Sequence, residues 1–220
     1  MKNDNVSTLL DLIRTTCYEY RSTPFKLSSG KFSNHYFDCR NLLSSPNGFN
    51  LVGKVMAEIL ITKILNGKTY PDNLDNYFPR CELTPYETCY RVVNVQAIGG
   101  MATGSIPVAY SIMTALYQKN IDINTFYVRK IDKSHGKAGR VVGMVEKGVK
   151  VIIVDDVITT GHSINAAIEF IQSERNSIVV AVLSIIDRQE GGSETITEKY
   201  NIPVISAFTM TDILGIKGKI

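Results

Sequence analysis

Residues 149–163 read VKVIIVDDVITTGHS. The stretch from Val149 to Val154 is too continuously apolar for a strand with one wet face, so it predicts a strand buried on both sides. Asp155 and Asp156 follow at once, then a turn rich in hydroxyls and glycine, then SINAAIEFIQ at helical spacing. The same alternation recurs on either side. VVNVQAI leads into IPVAYSIMTALY, TFYVRK comes next, and IVVAVLSIID follows the helix. Apolar runs separated by helical stretches predict an α/β fold, a central mostly parallel sheet flanked by helices. Ligands of such sheets bind beyond the carboxyl ends of the strands. That rule singles out IGGMATGS, RKIDKSHGKAGR, DDVITTGHS and DRQEGG.

Toward the amino terminus, Val6, Leu9, Leu10, Ile13, Cys17 and Tyr20 recur at three- and four-residue steps and predict a helix over 6–20. A second stripe, Leu51, Val52, Val55, Met56, Ile59, Leu60 and Ile64, predicts a helix from about Pro46 to Leu65. Between them, PFKLSSGKFSNHYFDCR places a Ser/Gly turn between alternating segments and predicts a hairpin. Residues 66–91 hold three prolines and four tyrosines without periodicity and read as an insertion. Residues 131–148 are rich in Gly and Lys and read as a mobile loop leading to a short strand.

The 220 residues carry 24 basic and 21 acidic side chains, and a net charge of +3 gives no bulk electrostatic ground for nucleic-acid binding. No apolar run approaches the roughly 20 residues that span a bilayer, and the start lacks a signal-peptide pattern, so a cytoplasmic protein is expected. Cys17, Cys39, Cys81 and Cys89 contain no CxxC pair, and with three histidines they give no zinc spacing. A Cys81–Cys89 bridge is not expected in a reducing compartment.

Chemistry concentrates in 155–163. Thr159, Thr160, Gly161, His162 and Ser163 sit where a helix begins, and unpaired N–H groups, the helix dipole and hydroxyl donors together make an anion cradle. Asp155 and Asp156 can accept from sugar hydroxyls or help hold Mg²⁺. Phosphate donors beside diol acceptors suit a ribose 5-phosphate. A P-loop is excluded, because Ser105-Ile106 follows the Gly99–Gly104 spacing where Lys and Ser/Thr are required. No GxGxxG fingerprint is present either.

VIIVDDVITTGHS resembles the phosphoribosyl-pyrophosphate signature of the type I phosphoribosyltransferases, and the other motifs are similar to the orotate phosphoribosyltransferase family. FKLSSGKFSNHYFD resembles its base-binding segment, YVRKIDKSHGKAGRVVG its Arg-Lys strand end and catalytic loop, and DRQEGG its late base-binding turn. The resemblance covers about 24–192, excepting the insertion. It implies one phosphoribosyltransferase domain over 1–220, with a small hood formed by 1–45 and about 188–220. It also implies Mg²⁺-dependent transfer of phosphoribosyl from phosphoribosyl pyrophosphate to orotate, giving orotidine 5′-monophosphate in pyrimidine biosynthesis.

Residue by residue, the resemblance assigns Arg129, Lys130, Lys133, His135, Asp155, Asp156, Val157, Ile158, Thr159, Thr160, Gly161, His162 and Ser163 to phosphoribosyl pyrophosphate. Lys133, His135, Asp155 and Asp156 carry the catalytic roles. Lys26, Ser28, Tyr36, Phe37, Thr159 and Arg188 are assigned to orotate. Gly100, Thr103 and Gly104, with Gly99, form a pyrophosphate loop, whose glycines a tight strand-to-helix turn would also explain. Mg²⁺ is held mainly by substrate, with help from Asp155 and Asp156 and no dedicated protein site. A homodimer is implied, its sites shared through the loop 131–140.

Plainer readings stand beside these. Arg188 fits a strand-end arginine paired with Asp187 or Glu190, and Tyr36 or Phe37 fits core packing. Two departures remove charge, since many bacterial members have Lys where Gly104 stands and another near Ser28; Lys26 and Lys31 flank the latter. Alternative functions are a phosphoribosyltransferase for another base and a non-catalytic phosphoribosyl-pyrophosphate sensor. About 23 residues before the first motif are too few for an ordinary DNA-binding domain, and the decarboxylation that follows is expected on another chain.

Overall fold

The computed structural model of the protein describes residues 2–26, 32–65, 95–130 and 139–215. Ser28, Lys31, the insertion 66–91 with Cys81 and Cys89, and Lys133 and His135 lie outside the described residues, as does the side chain of Lys26.

The chain opens with α1 (Lys2–Thr16), the strands β1 (Tyr18–Lys26) and β2 (Phe32–Phe37), the short α2 (Arg40–Ser44) and α3 (Pro46–Ile59). The last continues as a π-helical segment, Leu60–Leu65. Then come β3 (Val95–Met101), α4 (Ser105–Tyr117), β4 (Asn124–Val128), β5 (Val141–Gly143) and β6 (Lys150–Ile158). The series ends with α5 (His162–Arg175), β7 (Ile178–Asp187), α6 (Gly192–Tyr200), β8 (Val204–Thr209) and α7 (Met210–Leu214).

Six strands form one sheet in the order β5-β4-β3-β6-β7-β8. All its pairs are parallel except β4 with β5. The apolar run of β6 is the reason for the layering. Along β6, Ile152 and Val154 enter the core beneath α1, α3 and α4, while Val151 and Ile153 enter the core beneath α5 and α6. Strand alternation thus supplies two hydrophobic layers from one segment.

The second predicted helix is present, begun by Ser45, whose hydroxyl accepts from Gly48 N–H at 3.0 Å, with Pro46 in the first turn. The first predicted helix ends four residues early. Cys17 N–H closes the last turn on Ile13 O at 2.9 Å, and Tyr18 and Tyr20 then pair with Phe37 and His35 across the predicted hairpin. Their aromatic side chains suit a strand, so cross-strand packing prevails over the helical spacing of Tyr20. The fourth helix opens at Ser105.

The first and last described helices, α1 and α7, are in contact. Arg14 of α1 donates through Nε and Nη2 to Ile213 O and Asp212 O, at 2.9 and 2.8 Å, the closing carbonyls of α7. The hairpin is tied to the end of β7 through Arg188, described below.

Candidate active site

The turn after β6 is built by close backbone approach. Gly161 has φ +76°, a left-handed conformation, and a Cβ there would lie 2.9 Å from Ile196 Cδ1. Gly192 faces it, where a Cβ would stand 2.3 Å from Thr159 O. Two glycines therefore seat the turn 159–161 directly on the turn after β7, which joins the DDVITTGHS and DRQEGG motifs in one place. No side chain caps α5, leaving the N–H groups of its first turn for an anion.

Around this turn lies a cavity of about 840 Å³, lined among others by Thr159, Thr160, Gly161, His162 and Ser163. A second, of about 620 Å³, is lined among others by Tyr36, Phe37, Thr103, Gly104 and Asp156. Lys130, Asp155, Val157, Thr159 and Ser163 line both. The fold so brings together most of the sequence-predicted residues. Arg129 and Arg188 line neither cavity; Arg129 N–H pairs with Arg140 O at 3.0 Å, and Arg188 lies buried behind the hairpin strand β2.

Arg140 is a cation that the motif reading did not single out. It lines the larger cavity, its Nη1 donates to Lys130 O at 3.1 Å, and its guanidinium stacks 4.5 Å from the Phe170 ring centroid. The signal was available: Arg140 ends the charged stretch that Lys130 begins, and pairing of the flanking strands, Val128 with Val141, brings its two ends together. Glu174 of α5 fixes this return, its carboxylate accepting from Arg140 N–H at 2.8 Å and Val141 N–H at 3.1 Å.

Asp155 is buried, and burial followed by the neighbouring Asp156 pushes its carboxyl well above the ordinary range. Its Oδ1 accepts from Asp156 N–H at 3.0 Å, and Asp156 Oδ1 accepts from Val157 N–H at 3.0 Å. Asp156 also explains Gly104, because a Cβ at 104 would lie 2.5 Å from Asp156 Oδ1. Gly99 and Gly100 are glycines for packing. They sit inside β3, where a Cβ would lie 2.1 Å from Phe126 O or from Val154 O. Of the four residues assigned to this loop, Thr103 and Gly104 line a cavity, together with Ala102, whose peptide to Thr103 is cis.

On the hairpin, Phe37 is buried against Tyr18 with ring centroids 5.3 Å apart, whereas Tyr36 is only partly buried. Arg188 is buried, which draws its guanidinium below its ordinary pKa. It pairs with Glu190 at 2.8 Å and donates to His35 O of β2 at 3.1 Å, so of the two partners open to it the structure selects Glu190.

Among the described residues, no group of three or more His, Cys, Asp or Glu could hold a metal ion. Two adjacent carboxylates beside an anion cradle fit a Mg²⁺ ion that takes most of its oxygens from substrate phosphates and water. No described helix is long and apolar enough to cross a membrane.

Residues 89–212 match the family model for the phosphoribosyl transferase domain. The orotate phosphoribosyltransferase of Rhodopirellula baltica is 33% identical over 197 residues, 90% of this chain and 88% of that protein. That of Aquifex aeolicus is 32% identical, with 86% of each chain covered. The crystal structure of Mycobacterium tuberculosis H37Rv orotate phosphoribosyltransferase superposes with a TM-score of 0.69 at 26% identity, over 95% of this chain and 98% of that one. With its parallel sheet, its glycine-seated anion turn and these relatives, the chain belongs to the orotate phosphoribosyltransferase family of phosphoribosyl transferase domains.

Proposed function

We propose that the protein transfers a phosphoribosyl group from phosphoribosyl pyrophosphate to orotate, releasing orotidine 5′-monophosphate and pyrophosphate, in pyrimidine biosynthesis in the cytoplasm. The observation that carries this reading is the junction of the two cavities. An anion turn at 159–163 and an aromatic-walled pocket at Tyr36 and Phe37 share Lys130, Asp155 and Thr159. A sugar placed at that junction has its phosphate in one cavity and its anomeric carbon facing the other.

In this reading the amides and hydroxyls of Thr159–Ser163 bind the 5′-phosphate. Asp155 and Asp156 accept from the ribose hydroxyls. Mg²⁺, when bound, neutralises the pyrophosphate and orders its oxygens, with Asp155 and Asp156 as the protein groups beside it. Bond breaking at the anomeric carbon builds negative charge on the departing pyrophosphate. Lys130 and Arg140, with Lys133 and His135 supplied by the loop 131–140 of a second subunit, offset that charge. Thr103 and Gly104 border the leaving group. On the acceptor side, Tyr36, Phe37, Thr159 and Arg188, with Lys26 and Ser28, form the base pocket; the segments 1–45 and 188–220 form the hood that covers it.

The test is a panel of acceptors. The full chain is incubated with phosphoribosyl pyrophosphate, Mg²⁺ and either orotate, uracil, adenine or guanine, and nucleotides are identified by chromatography. A nucleotide from orotate alone supports the reading. One from adenine or guanine would assign a different base, and none from any base despite phosphoribosyl-pyrophosphate binding would point to a sensor.

A further inference from the structure

Arg188 and Glu190, on the turn after β7, make half of a pairing. The Nε–H and Nη2 of a guanidinium lie on one edge and match both oxygens of a carboxylate. Here Nη2 meets Glu190 Oε1 at 2.8 Å, while Arg188 Nε and Glu190 Oε2 are both buried with no hydrogen-bond partner among the described residues. The Arg188 side chain is 5% exposed. An exposed pair on strand β1 behaves differently. Arg21 gives Nε and Nη2 to the two oxygens of Glu19 at 2.8 and 3.0 Å. The buried pair, where an unmade bond costs more, is the one left open.

Its surroundings say why. Nη2 is also claimed by Ser33 Oγ at 3.2 Å and His35 O at 3.1 Å, and the Phe37 ring lies 5.6 Å from the guanidinium carbon. These contacts hold Nη2 between the hairpin strand β2 and Glu190, so Glu190 shares this nitrogen and does not reach the neighbouring Nε–H. The orphaned Nε–H therefore marks an edge shaped for a carboxylate that Glu190 does not fill.

We propose that Glu190 is a specificity-setting residue, a resident carboxylate that neutralises Arg188 until a carboxylated pyrimidine takes over the Nε/Nη2 edge. This rests on the acceptor-site reading above. A carboxylated base exchanges like for like and completes both bonds. A neutral base cannot, because displacing Glu190 would leave Arg188 buried and uncompensated. The charge of Glu190 thus excludes neutral pyrimidines and competes with the charged one.

Glu190→Gln keeps the shape and removes the charge. Calorimetric titrations of wild type and variant with orotate, with uracil and with phosphoribosyl pyrophosphate, each with and without pyrophosphate and Mg²⁺, give the answer. The expected result is orotate binding tightened on the order of tenfold, with phosphoribosyl-pyrophosphate binding unchanged. Unchanged or weakened orotate binding in a folded variant overturns the proposal. Should the variant not fold, the Arg188 Nε–H resonance of the wild type decides. A shift on adding orotate but not uracil supports the exchange, and no shift refutes it. Wild type that binds phosphoribosyl pyrophosphate but never orotate would instead overturn the acceptor-site reading itself.

Discussion

Gly104→Ala isolates the pyrophosphate side of the site. Gly104 has φ −57° and ψ −42°, which alanine adopts without backbone strain, so any cost in stability comes from the carboxylate its methyl meets and stays within about 1 kcal/mol. Its Cβ, however, lies 2.5 Å from Asp156 Oδ1 and 2.9 Å from Asp156 Cγ. Ordinary contact begins near 3.4 Å, so the carboxylate must withdraw by about 0.9 Å, the difference of 3.4 and 2.5. Misplacement on the order of 1 Å can cost about 100-fold in rate. We expect kcat/KM for phosphoribosyl pyrophosphate to fall about 10- to 100-fold while Tm holds. The decisive comparison is a double-mutant cycle with Asp156→Ala, which removes the group that the new methyl strikes. In that background Gly104→Ala should change kcat/KM by less than about twofold. Unchanged kcat/KM for the single variant, or fully additive losses, would refute the reasoning.

Asp155→Asn tests the buried carboxylate. A carboxyl whose folded pKa is raised lends relative stability below its unfolded pKa and loses it as pH rises through the folded value. The variant should therefore match wild type in Tm near pH 4, exceed it by a few degrees near pH 8 and transfer phosphoribosyl poorly; a Tm difference that shrinks with rising pH would contradict the burial argument. Glu174→Ala strips the acceptor from Arg140 N–H and Val141 N–H, so Tm should drop by an amount corresponding to about 1–3 kcal/mol, with turnover reduced through Arg140; equal melting curves would show that water replaces it. Arg188→Ala should weaken orotate binding far more than phosphoribosyl-pyrophosphate binding by calorimetry, and equal losses would make it a fold residue only. Lys133→Ala should lower kcat on the order of 100-fold, and unchanged turnover would remove that lysine from the mechanism.

The parts of the fold legible in the sequence were those where one physical demand dominates. VKVIIVDDV had to be a central strand because both of its faces are apolar, and the residues at its carboxyl end do meet at one pair of cavities. Strand β8 left no comparable signal. It is an edge strand whose residues are mostly half-buried, and VISAFT lacks both a continuous apolar run and strict alternation. Tyr20 matched a helical period by coincidence, since what places it is His35 on the opposite strand.

At the site, motif order identified the anion turn but not its partners. Gly192 acts through an approach between segments distant in sequence, onto Thr159, whereas Arg140 meets Lys130 from ten residues on and is set there by the pairing of the flanking strands. Gly99 and Gly100 read as ligand glycines and are explained by strand packing, whereas Gly104 answers to a single carboxylate. Arg188 was readable as a cation after a strand, yet its half-made pair with Glu190 depends on Ser33 and His35, which lie more than 150 positions away.

The most direct test of the central claim follows the loss of orotate absorbance when the protein is mixed with orotate, phosphoribosyl pyrophosphate and Mg²⁺. Omission of each component in turn and chromatographic identification of the product complete it. Orotidine 5′-monophosphate is expected only in the complete mixture, with one pyrophosphate per nucleotide. A folded protein that binds phosphoribosyl pyrophosphate and leaves orotate unchanged would contradict that claim.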